Sequence, residues 1–335
     1  LEALSPILKK PLAFKRHRAG GNAIDQDGDP LPEASLQACL ASDAILKGPW
    51  GGPKWDKLPT EKRPERGILR LRKALDAFAN LRPSRIYPAL ISASPIRPEL
   101  ASKCDFLIVR ELVAGLYFGE PRGIEGKPGS RRGFNTLSYT EGEITRVVKL
   151  AFEMARLRRK KLCSVHKANV IESMRLWLEV SNEVAMGFPD VAYRDLIVDA
   201  CAMEILRDPG QFDVLVMENM FGDILSDEAA AVTGSLGLAP SASLGDGSKP
   251  GLFEPVHGSA PDIAGQGKAN PLGAILTAAM MLRFGLKEGK AADGLESAVG
   301  KVLGAGLRTA DLARPGEKAV STAAIDSSRF SRASS

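Results

Sequence analysis

Cysteine and histidine are scarce in this chain, with four of the first and three of the second among 335 residues. Cys39, Cys104, Cys163 and Cys201 stand far apart, without a CxxC pair and with few histidines nearby. That excludes a disulfide framework and a thiolate zinc site, and reads as ordinary buried thiols. Long apolar runs are lacking too. No stretch long enough to span a bilayer is free of charge, and LEALSPILKKPLAFKRHRAGG at the start has neither the apolar segment nor the cleavage site of a secretory signal. A cytoplasmic protein with no membrane partner is expected. No internal repeat is visible, and no Pro/Ser/Gly linker divides the chain, so two domains would be crossed by the chain more than once.

Charge of one sign is not in large excess. Lys and Arg number 45 against 40 Asp and Glu, a formal net charge of +5. The basic residues are scattered, and the one dense run, RLRRKK from Arg156 to Lys161, ends a helical pattern where cations face the helix dipole favourably. No basic face interleaved with aromatics is evident, so a nucleic-acid partner is not expected.

What is present is an ordinary globular composition, 44% hydrophobic, at a length of about two domain-sized units. Amphipathic windows alternate with short aliphatic runs, the pattern of an α/β protein. Helical windows are expected at Arg66 to Ala79, Glu141 to Arg158, Val170 to Met186, Asp223 to Thr233, Ala269 to Phe284 and Leu295 to Gly306. Strands are expected in DFLIVREL, KKLCSVH, RDLIVDA and DVLVMEN. Leu1 to Lys10 reads as the tail of an uncapped amphipathic helix, and Asp326 to Ser335 as a frayed tail.

Three constellations could carry chemistry. In FGDILSDEAAAVTGSLG, Asp223 and Asp227 stand at i and i+4 and project from one helix face. Two bare carboxylates repel there, whereas a hard divalent cation would bind between them; the other reading is a helix start that favours acidic residues. A third acid, Asp199, closes the apolar run DLIVDA. Second, Arg72 and Arg82 bracket LRKALDAFANLRP, and Arg110 ends FLIVR. Each alone reads as a surface salt bridge, but guanidinium groups are natural carboxylate clamps, and beside a metal site the three suggest a dicarboxylic acid. Third, EPVHGSAPDIAGQGKANP carries small residues that let a backbone approach a cofactor closely, with Asp262 able to accept from ribose hydroxyls; a plain turn is the alternative. GGPKWD at Gly51 to Asp56 is equally open. Lys167, after KKLCSVH, and Tyr117 could transfer protons or be ordinary surface and core groups.

Taken together and in order, GGPKWD, RPERGILRLRKALDAFANLRP, IVRELVAGLYFGEPRG, KANV, FGDILSDEAA, GSLGLAPSASLG and EPVHGSAPDIAGQGKANP resemble the β-decarboxylating dehydrogenase family. That family includes the isocitrate, homoisocitrate and tartrate enzymes, and the likeness here is to its 3-isopropylmalate branch of leucine biosynthesis. It runs from about Ala19 to Thr309. The resemblance implies a two-domain α/β/α sandwich with interleaved domains, residues 1–77 and 234–335 forming the cofactor side and 78–233 the metal and dimer side, and an active site in the cleft between. It implies that Arg72, Arg82 and Arg110 hold the malate carboxylates, and that Asp223 and Asp227, with Asp199 of a second subunit, bind Mg2+ or Mn2+ and face the substrate. Lys167, also from the second subunit, would take the hydroxyl proton and Tyr117 would reprotonate the enolate. A homodimer with shared sites is implied as well.

For the dinucleotide, the resemblance implies two lining segments. Gly52, Pro53, Lys54, Trp55 and Glu65 belong to the first, and Gly258, Ser259, Ala260, Asp262, Ile263 and Asn270 to the second, with Glu254, His257 and Asn219 beside them. Related NADP enzymes resemble one another in placing Lys and Tyr where this chain has Asp262 and Ile263, and a carboxylate there repels a 2′-phosphate, so NAD is expected. Glu65, Ile68, Leu69 and Val170 would meet a branched alkyl group, in a pocket that offers a third carboxylate nothing in place of its hydration. The chain departs from the family at several points. The opening strand and GDGIGPE loop are absent, which is expected to lower stability. His166 replaces the usual Asp before the catalytic Lys, Pro49 and Trp50 precede GGPKWD, and no clear GT motif stands at Gly316 and Glu317. The alternatives are a tartrate, homoisocitrate or isocitrate enzyme, or an impaired paralogue acting as a binding or regulatory subunit.

Overall fold

The computed structural model describes residues 1, 4, 8–314 and 316–327. These fall into two compact units, both built from more than one segment. The first comprises Leu1–Ala77, Arg85–Ser102 and the chain from Ala230 on; the second comprises Phe78–Ser84 and Lys103–Ala229. Residues 85–102 thus group with the two ends of the chain and not with its middle as the sequence suggests. The reason is packing: Leu90 is buried in one cluster with Leu238, Leu272, Leu276 and Val299.

The second unit carries a sheet in the order Ala79–Arg85, Asp105–Glu111, Val214–Met217, Lys161–His166, Ala192–Ile197. The last four strands run parallel, with Arg110 opposite Met217, Val165 opposite Met217, and His166 opposite Ile197. Phe106, Ile108, Val109, Leu215 and Val216 are fully buried, as expected of parallel strands covered on both faces. The helix Glu141–Arg156 begins with a capping box in which Thr140 and Glu143 bond each other's backbone N–H groups. Its buried positions, Ile144, Val147, Val148, Ala151, Phe152 and Ala155, follow the helical repeat. The basic run does end this helix, and its arginines are tied down by acids: Arg156 to Asp190 at 2.6 Å, and Arg158 to the buried Asp213 at 2.8 Å. Apart from the half-buried Arg158 the run is exposed, so it is a solvated helix end that also supplies the counter-charge of Asp213.

Register brings the strand ends to one level. Arg110, His166 and Ile197 lie together at the carboxyl ends of parallel strands, and the chain continues from there into Glu218–Asn219, Lys167 and Asp199. Ligands of α/β sheets gather at such strand ends.

In the first unit Ala44–Leu46 pairs parallel with Gly251–Pro255, which pairs antiparallel with Pro240–Leu244. Helices Pro64–Ala74, Leu272–Met280 and Gly289–Gly304 surround these strands, the second running on into a π-helical turn, Met281–Gly285. Trp50 packs against Leu31, Ile45, Leu71, Leu75 and Leu252, so this departure from the family pattern fills core. Residues 8–10 are irregular and not helical. Of the tail expected from Asp326, residues 326–327 end the helix Thr322–Ser327 and the rest lies outside the described residues. The short strands at 44–46, 240–244 and 251–255 have no signal in the sequence comparable with the aliphatic runs. Among the described residues no helix is long and apolar enough to cross a membrane.

Candidate active site

In the second unit, the helix Asn219–Val232 carries Asp223 and Asp227, and both meet arginine. Arg110, 3% exposed, donates from Nε at 3.0 Å and Nη2 at 2.8 Å to Asn219 Oδ1, and pairs through Nη1 with Asp223. Gly222 makes this approach feasible, since a Cβ there would lie 2.5 Å from the Arg110 side chain. Arg82 donates to Asn80 Oδ1 at 2.8 Å, Ser226 Oγ at 2.7 Å and Asp227 Oδ1 at 3.0 Å, with Asp223 Oδ1 3.6 Å away. Tyr117 donates its hydroxyl to Asp223 Oδ2 at 3.0 Å, and burial together with the Asp223 charge pushes the phenol up to about 12. Arg82, Arg110, Asp223, Asp227 and Tyr117, picked out separately along the sequence, therefore form one cluster.

Lys167 and Asp199 form a second pair. The Lys167 ammonium donates to both Asp199 oxygens, and this hydrogen bonding holds the carboxyl below its usual range. Asp199 stands in the first turn of the helix Val198–Arg207, two residues past the end of the strand Ala192–Ile197, and not at the strand end where the sequence places it. Among the described residues no three of His, Cys, Asp or Glu gather to hold a metal ion, so Asp199 does not complete a set with Asp223 and Asp227 within one chain. The donor chemistry still fits a hard divalent cation. Asp223 and Asp227 offer oxygens only, their side chains are 37% and 57% exposed, and further ligands can come from water, substrate or another carboxylate.

Behind the cluster lie three residues that sequence reasoning missed. Glu111 and Glu218 are fully buried and each caps its own turn, accepting Val113 and Ala114 N–H or Met220 and Phe221 N–H. The Tyr139 hydroxyl stands 3.3 Å from both carboxylates and accepts the Asn219 N–H at 3.0 Å. Burial raises both carboxyls, Glu111 to about 7. The available signal was an acid directly closing each of two aliphatic strands, IVRE and VMEN.

In the first unit Arg72 is occupied differently. It pairs at 2.8 Å with Glu254, which Lys47 also contacts, and the buried Arg72 Nε has no partner among the described residues. Burial by itself would raise the Glu254 carboxyl, but the two cations outweigh it and bring it to about 2. The predicted cofactor segments do come together: a Cβ on Gly52 would lie 3.4 Å from Ser259 Oγ, and one on Gly51 3.0 Å from Glu65 Oε1. Lys54 and Trp55 are anchored to Asp25 at 2.6 and 3.1 Å. Gly258, Gly265 and Gly267 face open space and Asp262 is exposed, which suits close approach of an extended ligand. Ala260 adopts φ 41°, His257 bonds Gly258 O, Asn270 bonds Asp311, and Ile263 is half-buried. Asn219 belongs to the second unit, where it is bonded to Arg110 and Ala114. Ile68 and Leu69 are half-buried beside exposed Glu65, while Val170 is 67% exposed in the second unit.

Comparison with known proteins gives the same answer as the motifs. A profile described as isocitrate/isopropylmalate dehydrogenase matches residues 1–327. A 3-isopropylmalate dehydrogenase of Gloeobacter violaceus is 55% identical over 97% of this chain and 90% of its own length, and one of Geobacillus kaustophilus is 56% identical over 96% and 86%. The crystal structure of isocitrate dehydrogenase from Methylococcus capsulatus superposes with a TM-score of 0.82 at 36% identity, covering 94% of this chain and 88% of that one. With a family profile matching residues 1–327 and relatives more than half identical along nearly all of it, the chain belongs to the isocitrate/isopropylmalate dehydrogenase family.

Proposed function

We propose that this enzyme catalyses the metal-dependent, NAD-linked oxidative decarboxylation of 3-isopropylmalate to 2-oxoisocaproate and carbon dioxide, a step of leucine biosynthesis. The observation that carries the reading is the Asp223 carboxylate lying against Arg110, Arg82 and Tyr117. Carboxylate clamp, cation ligand and proton donor thus meet at one side chain. Relatives named for this substrate, at more than half identity, support the same choice over the isocitrate, homoisocitrate and tartrate enzymes, as does the aliphatic pair Ile68 and Leu69.

Arg72, Arg82 and Arg110 bind and orient the two carboxylates, and Arg110, rigid on Asn219, fixes the position of one of them. Lys167, in its neutral amine form after giving up its ammonium proton to solvent, accepts the proton of the substrate hydroxyl. Tyr117 returns a proton to the carbon that loses carbon dioxide. Asp223 and Asp227, joined by Asp199 of a second copy, would hold Mg2+ or Mn2+. When bound, the cation and NAD supply polarisation of the carbon–oxygen bond and an acceptor for hydride. The pairing of Lys167 with Asp199, apart from Asp223 and Asp227, suits a homodimer in which each chain lends this pair to the other. Asp262 favours a free ribose hydroxyl and so NAD over NADP.

A steady-state assay of the purified protein with Mg2+, four acids and both dinucleotides tests the reading. NADH should form from 3-isopropylmalate with NAD. Silence on that acid together with turnover of isocitrate, homoisocitrate or tartrate would overturn it.

A further inference from the structure

His166 stands directly before Lys167, is 4% exposed, and has both ring nitrogens engaged. The Ala168 backbone N–H donates to its Nδ1 at 3.1 Å, and its Nε2 lies 3.1 Å from Asp195 Oδ2. An amide N–H can meet only a lone pair, so Nδ1 is the unprotonated nitrogen and Nε2 carries the hydrogen given to Asp195. The Lys167 carbonyl in turn accepts the N–H groups of Val170 at 3.2 Å and Ile171 at 3.1 Å. The peptide unit joining Lys167 to Ala168 is therefore held at both its polar ends, the carbonyl by the next turn and the N–H by the imidazole.

We infer that His166 is a positioning residue for Lys167: by accepting the Ala168 N–H, its Nδ1 sets the turn from which the lysine reaches Asp199. This rests on the reading of Lys167 as the proton acceptor. The chemistry explains how the family pattern can hold Asp here and this chain His. An Asp side chain accepts the N–H two residues ahead in an Asx turn; the imidazole presents a lone pair at the equivalent δ position while its far nitrogen is tied to the neighbouring strand at Asp195. The substitution thus keeps the one bond that acts on Lys167, and it gives no reason to expect a disabled enzyme.

Three variants of the whole chain separate the two nitrogens. His166→Asn keeps a δ acceptor, His166→Gln offers polar atoms only at the ε position, and His166→Leu keeps neither. With 3-isopropylmalate, NAD and Mg2+, Asn should retain kcat within about threefold, while Gln and Leu lose about tenfold or more, each with KM moved less than about twofold, as for a displaced proton acceptor with intact binding. Hydrogen–deuterium exchange of the peptide Val165–Ile171 should show Ala168 protected in the parent and the Asn variant and released in the other two. If Asn falls together with Gln and Leu, or all three keep parental kcat, the inference is overturned. Should the parent itself not turn over this acid, the functional reading fails, and the exchange pattern alone then decides whether His166 holds the turn.

Discussion

Two pairs of carboxylates in the second unit behave in opposite ways, although Glu218 and Asp223 stand only about one helical turn apart in the chain. Glu111 and Glu218 are fully buried, grip backbone N–H groups and share the Tyr139 hydroxyl. Asp223 and Asp227 are partly open to solvent and faced by guanidinium groups. Burial outweighs the nearby arginines, Arg146 for Glu111 and Arg110 for Glu218, and pushes the glutamates toward holding a proton, so they act as hydrogen-bonding fixtures of the site. Exposure beside arginine leaves the aspartate oxygens accessible to a metal ion and to substrate. Glu254 supplies the control: it too is buried, yet Lys47 and Arg72 keep it ionised. The environment, more than the residue type, divides the scaffold acids from the functional ones.

The strongest way to break this comparison is to neutralise one member of each pair. Asp223→Asn should lower kcat/KM for 3-isopropylmalate by about a thousandfold, roughly 4 kcal/mol of transition-state stabilisation. It should also abolish any rise in melting temperature on adding Mg2+. Glu111→Gln should leave kcat/KM within about tenfold of the parent, since one acceptor for the 113–114 turn remains. Equal losses in the two variants would show that the pairs do not differ in role.

Lys47→Met tests the control. Removing one of two cations from a buried carboxylate is expected to destabilise the fold by about 2–4 kcal/mol, read by urea titration at neutral pH. A carboxyl held at about 2 contributes stability that is present above its ordinary value near 4.5 and lost as pH falls toward 2. With Lys47 gone, the carboxyl moves back toward its ordinary value, so the loss that Glu254 contributes on the acid side should shrink. An unchanged acid limb would mean that Arg72 alone keeps Glu254 ionised.

How much of the fold and site was legible in the sequence depends on the physics of each signal. Asp223 and Asp227 were readable from their spacing on one helix face and Arg110 from its place at the end of an aliphatic run, while Arg82 and Tyr117 gained their place from the order of motifs along the chain. The parallel strands were readable as aliphatic runs. Short strands such as Ala44–Leu46 exist only through their partners in the sheet, and local pattern cannot announce them. Glu254 looked like part of a cofactor loop because nothing local reveals that Lys47, far away in sequence, turns toward it. Tyr139 and the buried glutamates were missed for a related reason: one tyrosine joins two strand ends distant in sequence, and only folding brings the three together.

Tyr139→Phe probes that junction directly. It leaves the Asn219 N–H and both carboxylates without the hydroxyl, and should lower stability by about 1–3 kcal/mol, seen as a drop in melting temperature with the metal-dependent shift intact. A loss of that shift instead would tie the buried triad to the open aspartates more closely than the geometry implies.

The smallest expected effect is also the most specific. A carboxyl raised from 4.5 to about 7 binds its proton more tightly in the folded protein than in the unfolded chain. Its contribution to stability is therefore fully present below pH 4.5, declines as pH rises through about 7, and is flat beyond. Glu218, raised in the same direction by its own burial, adds to the slope. Glu111→Gln carries no ionisable proton at that position, so its melting temperature should fall less than the parent's between pH 5 and pH 8, while the two curves run parallel above pH 8. Parallel curves across the whole range would mean that Glu111 is already ionised at pH 5, held so by the Val113 and Ala114 N–H groups, and the buried pair would then differ from the aspartates in exposure alone.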